Sequence, residues 1–495
     1  MSELQIRAGA IEDLGVEVVA IPVLRRSEAE DRGEEKTDRW WTRAIEGVLL
    51  REPPSGSVRA TWAALGEPER PDLLVVHGKD EGLGPQEWLR RAAGAAVRAA
   101  RDRGASSIAF RPLPEDGRPE AWQAAAEGLL LGDWSYDELR NTSAGVARAR
   151  PELRVLWREA GQEQDLAGQD AAVRRGQVLA EVQNRVRELV AQPGNIVTPR
   201  YLADRADRLG EEHGLLVQSW GLEKLRDAGF GGLLSVARGS EQEPRFIILE
   251  HTGDGGDPYV VVGKGVTFDA GGISLKPSSG MEDMKYDMAG AAAVLGIMTS
   301  AARLEIPQRV IGLIPATENL PSGTALKPGD VIRGESGTSI EVVNTDAEGR
   351  LILSDALSYA RRLGPRAVID LATLTGGCVV ALGHHAIGLM STSDALAAAL
   401  DEAGTSTGER TWRLPLWPEY RRQIDSDIAD IKNSAGRAGS PITAGSFLQS
   451  FVGDLEWAHL DIAGTAWAES AFGYQPKGAT GVGVRLVLEW LRAAV

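Results

Sequence analysis

Only one cysteine, Cys378, occurs in 495 residues, so no intrachain disulfide is possible and a reducing compartment suits the chain. Long apolar runs are missing too. None approaches the roughly 18 residues that span a bilayer, which argues against a membrane-spanning helix. Positive charge is in deficit: 54 Lys and Arg stand against 70 Asp and Glu, a formal net charge of −16. Nucleic acids and anionic membranes are held by clustered basic side chains, so neither is an expected partner. The opening Met1-Ser2-Glu3-Leu4 has no basic stretch followed by an apolar one, so no secretory signal is expected. Histidine is sparse, with six in all: His77, His213, His251, His384, His385 and His459. None forms an HExxH pair, and His384 and His385 are neighbours that would point apart, so a histidine-based metal site is not expected. What is present, 43% apolar and 25% charged residues, is the composition of a soluble globular protein long enough for two or three domains. A cytoplasmic protein is the expectation.

Residues 15–24, 72–77 and 106–111 are β-rich runs, and 85–101 and 119–131 carry helical patterning. Their alternation predicts an α/β domain of parallel type over residues 1–165. No Gly-rich phosphate loop or Cys/His cluster appears in it. The mixed acidic and basic stretch 25–36 reads as a solvated loop or helix. Residues 162–191 are polar, charged and largely free of breakers until Pro193, which predicts a connecting helix, placed over 166–192. Helix is expected again from Tyr201, after Pro199 and with Thr198 as cap.

Residues 193–495 hold stronger strand cores. The runs 245–250, 259–262, 310–314, 340–343 and 367–371 are predominantly apolar, as in strands buried on both faces. Helical stretches at 289–302 and 351–362 lie between them. The predicted fold class is α/β, with two α/β domains. The smaller is N-terminal, and the larger is a C-terminal αβα three-layer domain with a mixed central sheet.

Three segments of the larger domain concentrate functional side chains. Residues 263–276 contain Lys264, Asp269 and Lys276 among repeated glycines; residues 284–292 contain Asp287 where a helix should start; residues 344–351 read NTDAEGRL. In extended chain, positions two apart face the same side, so Asp346, Glu348 and Arg350 would share a face at a strand end. Each residue also has an ordinary reading. Asp287 serves as an N-cap, Asp269 and Asp346 as turn residues, the lysines as solvated surface groups, and Arg350 as a salt-bridge partner. Those readings leave unexplained why four carboxylates and two lysines stand at the ends of apolar elements. Clustered buried carboxylates need cations, and two divalent ions would serve. An oxygen-rich, histidine-free site suits Mn²⁺, Mg²⁺ or Zn²⁺. A P-loop reading of Gly263-Lys264 fails, because Pro258 stands where the motif needs glycine and Gly265 where it needs Ser or Thr.

The segments VGKGVTFDAGGISLK (262–276), MKYDMAGAAAV (284–294) and NTDAEGRL (344–351) resemble those of the leucyl aminopeptidases, the dizinc or dimanganese cytosolic enzymes that include bacterial aminopeptidase A. The resemblance extends to NIVTPRYLA (195–203), PATENLPSG (315–323), LKPGDVIRGESG (326–337), DLATLTGG (370–377), WRLPLW (412–417), AHLDIAGTAW (458–467) and PKGATGVGVR (476–485). The first 165 residues resemble the family in length and general α/β pattern only. By resemblance, Lys264, Asp269, Asp287 and Glu348 hold one metal ion. Asp269, Asp346 and Glu348 hold the other, with the main-chain carbonyl of Asp346. The ions would be Mn²⁺ or Zn²⁺. Lys264 would have to be neutral to act as a ligand. Lys276 would polarise the scissile carbonyl, and Arg350 would hold a bicarbonate ion acting as general base.

The implied activity is aminopeptidase hydrolysis. Two metals bind the free α-amine and the carbonyl oxygen of a peptide and share a water, whose pKa falls from 15.7 toward about 7. Lys276 and one metal stabilise the oxyanion. The implied pocket for a Leu-like side chain uses Met284, Asn344, Thr373, Gly376 and Ala463, with Ala466 at a position where the family varies. His459 and Asp461 read as packing and hydrogen-bonding residues. Peptides as substrates and a homo-hexamer of two stacked trimers are further implications. Two other classes fit the sequence less well. A phosphoesterase on the same dimetal core lacks a phosphate cradle, and a DNA-binding role sits badly with the net charge.

Overall fold

In the computed structural model, which describes residues 3–25, 40–52, 57–64, 70–79, 82–112, 118–140, 150–158 and 165–494, the chain forms two compact units. One comprises Met1–Asn184 and Glu469–Lys477; the other comprises Arg185–Ala468 and Gly478–Val495. Residues 26–36 of the mixed-charge stretch lie outside the described residues.

The first unit is built on strands β1 (Glu3–Ala8), β2 (Val18–Arg25), β3 (Arg59–Ala64), β4 (Asp72–Lys79), β5 (Ser107–Phe110) and β6 (Leu153–Arg158), with helices α1 (Trp40–Arg51), α2 (Pro85–Asp102) and α3 (Pro119–Gly132). The strand order is β1-β6-β5-β2-β4-β3. Every pairing is parallel except that of β3, which runs antiparallel to β4 at the edge. Alternate residues of each strand feed opposite faces. Val18, Ala20, Leu74 and Val76 pack with the alanine-rich face of α2, while Val19, Ile21 and Leu73 pack on the other side with Trp40 and Trp41 of α1. Helix α4 (Leu166–Ala191) then carries the chain into the second unit.

Helix α5 (Pro199–His213) opens with proline in its first turn, and the Thr198 hydroxyl accepts from the Tyr201 amide at 3.2 Å. After it come β7 (Leu216–Trp220), α6 (Leu222–Asp227), α7 (Gly231–Ala237), β8 (Arg245–His251), β9 (Tyr259–Gly263), β10 (Gly265–Asp269), α8 (Ala289–Arg303) and β11 (Val310–Asn319). Then follow β12 (Val331–Arg333), β13 (Ser339–Glu341), α9 (Gly349–Arg361), β14 (Ala367–Ala372), α10 (Gly376–Leu382), β15 (Ile387–Ser391), β16 (Thr411–Arg413), β17 (Ile431–Lys432), β18 (Trp457–Asp461), β19 (Trp467–Ala468) and β20 (Gly478–Ala479). Among the described residues the main sheet has nine strands, ordered β16-β15-β18-β14-β9-β11-β8-β7, with β10 paired to β11. It is mixed: β9, β14 and β18 run parallel, while β8 is antiparallel to β11 and β15 to β18. The strands β9, β11 and β14, apolar over most of their length, are buried throughout, as their apolar cores predict. Helix α8, made almost entirely of small and aliphatic residues, is buried from Ala289 through Ala301. No helix among the described residues is long and apolar enough to cross a membrane.

One expected strand differs. Residues 340–343 do not join the main sheet; only Ser339–Glu341 is extended, in a small sheet ordered β12-β13-β17. Ile340 and Val342 are fully buried while Val343 is 38% exposed. This is the alternation of a strand with one buried face, marked in sequence by Glu341 between Ile340 and Val342 and obscured only by the apolar Val343.

Candidate metal centre

In open α/β sheets, ligand sites form beyond the carboxyl ends of the strands. Here Lys264 follows β9, Asp269 ends β10, and Thr373 follows β14. A 3₁₀ helix, Met281–Met288, brings Asp287 to the same place, and the loop before α9 brings Asp346 and Glu348. Lys264 Nζ donates to Asp287 Oδ1 at 2.8 Å and to the Thr373 carbonyl at 3.0 Å, and lies 2.9 Å from Glu348 Oε1. Lys276 Nζ lies 2.8 Å from Asp269 Oδ2 and 2.5 Å from Asp346 Oδ1. The six charged residues singled out in sequence therefore converge. Asp269, Asp346 and Glu348 each offer a carboxylate oxygen, all within 4.8 Å of one another.

Backbone geometry makes this possible. Gly271 has φ +87°, and a Cβ there would lie 2.5 Å from the Ser274 carbonyl and 2.8 Å from Asp346 Oδ1, so only glycine fits the turn. Asp269 Oδ1 accepts from the Gly271 amide and from Asn319 Nδ2, both at 2.8 Å. The Thr345 hydroxyl donates to the Gly271 carbonyl at 2.7 Å and accepts from the Ser274 amide at 2.8 Å, tying the first acidic segment to the third. The third segment is not extended as the alternation argument supposed. It turns, with the Ala347 amide reaching the Asn344 carbonyl at 3.3 Å, and Glu348 already has helical angles. Asp346 and Glu348 meet because the chain folds back, not because they share a strand face. Nor does Asp287 cap α8; the cap position belongs to Met288, and Asp287 turns inward.

Four carboxylates face two ammonium groups in this cluster. Burial alone would push Lys264 toward neutrality, but Asp287, Glu348 and Asp269 outweigh it and hold its ammonium well above the usual lysine range. Burial acts on Lys276 in the same sense and is likewise overcome, chiefly by Asp269. On the acid side burial wins. It raises Asp287 to about 8, against the pull of Lys264, and it raises Glu348 and Asp346 as well. The cluster lacks positive charge, and the buried Glu348 Oε2 has no hydrogen-bond partner among the described residues. These features fit divalent cations: hard oxygen donors, surplus negative charge and an acceptor atom aimed inward.

Arg350 is buried in the first turn of α9, and its Nη1 donates to the Asn433 carbonyl at 2.8 Å. Its Nε has no hydrogen-bond partner among the described residues. Burial lowers its pKa to about 10, with Glu348 and Asp461 opposing. Asn433 is a residue that sequence reasoning missed. Wholly buried, it accepts at Oδ1 from the amides of Val343 (2.9 Å) and Asn344 (3.3 Å), and donates from Nδ2 to the carbonyls of Asn344 (2.7 Å) and Ala347 (3.3 Å). It lies outside every motif quoted above, and a single asparagine after a two-residue strand carries no signal.

The expected pocket residues are placed as follows. The Thr373 hydroxyl donates to Asp287 Oδ1 at 2.7 Å, and Asn344 Oδ1 accepts from the Asp346 amide at 3.0 Å, so both touch the cluster. Met284 is half-buried in the 3₁₀ helix that carries Asp287. Gly376 is exposed at the start of α10, Ala463 is half-buried just past β18, and Ala466 is buried. His459 Nδ1 lies 2.5 Å from Asp370 Oδ1, within the sheet rather than among the clustered acids.

The chain as a whole is similar to known proteins. The family model described as "Cytosol aminopeptidase family, catalytic domain" matches residues 184–488, and that of the family's N-terminal domain matches residues 52–143. The second match shows more kinship in the first 165 residues than length and general pattern. The chain is 50% identical over 424 residues to a probable cytosol aminopeptidase of Geobacter sp. (strain M21), covering 85% of each protein. It is 42% identical over 503 residues to one of Aromatoleum aromaticum, covering 99% of this chain and 98% of the relative. A solved structure, the bottromycin maturation enzyme BotP in complex with Mn, matches with a TM-score of 0.83 at 36% identity, over 97% of this chain and 99% of that one.

Proposed function

The chain belongs to the cytosol aminopeptidase family and is a metal-dependent aminopeptidase, a hydrolase; on that premise we propose that Lys264, Asp269, Asp287, Asp346 and Glu348 hold two divalent cations, and that Lys276 and Arg350 act beside them. The observation that carries the proposal is the cluster itself, four carboxylates drawn around two lysines with their oxygens largely withdrawn from solvent. Bound there, two divalent cations supply Lewis acidity and lower the pKa of a water toward about 7.

The chain's own residues divide the remaining work. Asp269 and Glu348 each act electrostatically on both lysines and would be the carboxylates shared between the two cations. Lys264 is only 3% exposed and is walled in by Asp287, Glu348 and the Thr373 carbonyl, which suits a ligand. As a ligand it is neutral, which two neighbouring cations favour by reversing the sign of the local field. Lys276 is 20% exposed and reaches the solvent side of the cluster, which suits an ammonium that meets the scissile carbonyl of a substrate. Arg350, anchored at Nη1 with a buried Nε that has no partner among the described residues, suits an anion holder, with bicarbonate as the anion and general base.

Met284, Asn344, Thr373, Gly376 and Ala463 form the pocket for a Leu-like N-terminal side chain. Peptides are the substrates, Mn²⁺ or Zn²⁺ the metal, a homo-hexamer the assembly and the cytoplasm the location. The manganese complex of BotP supports Mn²⁺, and the net charge of −16 argues against nucleic acid. Release of p-nitroaniline from leucine p-nitroanilide, followed before chelation, after it, and with Mn²⁺ or Zn²⁺ restored, tests the reading. Activity should vanish on chelation and return with metal. Hydrolysis that ignores chelation, or none with any metal, would overturn it.

A further inference from the structure

β14 and β18 run side by side and parallel, with Ala372 opposite Asp461, and the chain leaves both strands at that level. One branch, residues 373–377, carries Thr373 and Gly376. The other, residues 462–466, carries Ala463 and Ala466. At the base of the fork the Ile462 amide donates to the Ala372 carbonyl at 2.8 Å. Above that bond the branches diverge, and the carboxylate of Asp461 stands between them.

Its contacts are divided between the two branches. Oδ1 accepts from the Leu374 amide at 3.3 Å on one side and from the Ala463 amide at 3.1 Å on the other. Oδ2 accepts from the Thr375 hydroxyl at 2.7 Å, and that hydroxyl itself accepts from the Cys378 amide at 3.1 Å as the cap of α10. The chain of bonds therefore runs from Asp461 into the start of the helix that begins with Gly376. Asp461 is wholly buried, and its neighbouring charges are His459 on the same strand and Arg350. A carboxylate at that depth is unfavourable unless donors surround it. Here the donors come from both loops at once, so the two cannot shift independently without leaving the carboxylate short of partners.

We infer that Asp461 is a positioning residue that sets side-chain specificity, by fixing the spacing between the 373–377 and 462–466 loops that wall the pocket for the N-terminal side chain. The inference rests on the pocket reading given under Proposed function. Asp461 touches neither the substrate nor the acidic cluster; it acts through Leu374, Thr375 and Ala463.

The test is the ratio of kcat/KM for leucine and alanine p-nitroanilides, with metal content and melting temperature measured alongside. An apolar pocket separates side chains roughly 10- to 200-fold for a single methylene, and leucine and alanine differ by three carbons, so the ratio reports wall spacing. Asp461→Ala should lower the ratio about tenfold, mostly through KM for the leucine substrate, with metal content as in wild type. Asp461→Asn keeps an acceptor for the two amides and should restore most of it. If Asp461→Ala does not fold, Thr375→Val, which removes only the hydroxyl link, decides: a drop of a few-fold supports the inference and an unchanged ratio overturns it. Ala463→Val separates this inference from the reading beneath it. If Ala463→Val shifts the ratio while folded Asp461→Ala leaves it unchanged, the positioning role is wrong and the pocket stands. If Ala463→Val leaves the ratio unchanged, the pocket reading fails and the inference falls with it.

Discussion

The main-chain carbonyl of Asn433 accepts the Nη1–H of Arg350 at 2.8 Å, while the side chain of the same asparagine binds the backbone of Val343, Asn344 and Ala347. One buried residue thus grips both the loop that carries Asp346 and Glu348 and the arginine that follows them. Groups that orient metal ligands typically matter 10- to 100-fold in metal affinity or activity. Asn433→Ala takes this partner from the Val343 and Asn344 amides and the Ala347 carbonyl, each worth about 1–3 kcal/mol when left unsatisfied, while the Asn344 carbonyl keeps the Ala347 amide. The expected outcome is a fall of roughly 10- to 100-fold in kcat at saturating Mn²⁺, with weaker Mn²⁺ binding by calorimetry. Wild-type kcat and Mn²⁺ affinity in a folded variant would show that the loop holds its shape without Asn433.

Glu348 makes a sharper prediction. Its Oε1 lies 2.9 Å from Lys264, its Oε2 has no partner among the described residues, and the residue is only 2% exposed. Glu348→Ala should abolish activity and lower the metal bound per subunit, measured by elemental analysis after gel filtration. Near-normal activity with full metal content would show that Glu348 bridges nothing.

Much of this could be read from the chain before any fold was known. Lys264, Asp269, Lys276, Asp287, Asp346 and Glu348 stood out because charges at the ends of apolar runs conflict with burial, and the structure draws all six together. The buried strands β9, β11 and β14 were legible for the complementary reason, since their runs, Asp370 of β14 apart, are apolar on both faces. Other features were not legible, because they depend on tertiary contacts between distant parts of the chain. Asn433 meets its partners across more than eighty residues of sequence, and Asp461 finds its donors only where β14 and β18 end together. The turn at residues 344–348 was misread as extended because its residues keep a spacing of two while the backbone folds back. Residues 340–343 read as a main-sheet strand because half-exposed Val343 is as apolar as a buried residue, although Glu341 interrupts the run.

Gly349 shows how tightly the cluster is packed. A Cβ at this first residue of α9 would lie 2.6 Å from Lys264 Cε and 2.8 Å from its Nζ. Alanine is the better helix former by as much as about 1 kcal/mol, so Gly349→Ala should not weaken the helix. Lys264 has little room to withdraw, since Asp287, Glu348 and the Thr373 carbonyl surround its ammonium. The expected result is a melting temperature near that of wild type with activity reduced at least about tenfold, the size of effect a displaced metal-site residue produces. Full activity would mean that Lys264 moves aside without consequence, which a ligand does not do.

Asp355 provides a pH test away from the catalytic cluster. It is wholly buried on α9, where its Oδ2 accepts from the Leu233 amide at 2.8 Å and its Oδ1 from the Glu335 amide at 2.9 Å. Burial outweighs those donors and pushes its carboxyl up to about 8. In the unfolded chain an aspartate titrates near 4, so between about pH 4 and pH 8 the folded protein holds a proton that the unfolded one has released. Stability from this group is therefore complete below about pH 4 and is lost as pH rises toward 8. Asparagine at 355 does not titrate and keeps only one of the two acceptors. Asp355→Asn should melt a few °C below wild type at pH 5, and the gap should narrow by pH 8. Both proteins are compared at saturating Mn²⁺, so that the acids of the metal centre titrate alike in each. A gap that widens toward pH 8 would mean that the backbone donors win over burial and that Asp355 is ionised in the fold.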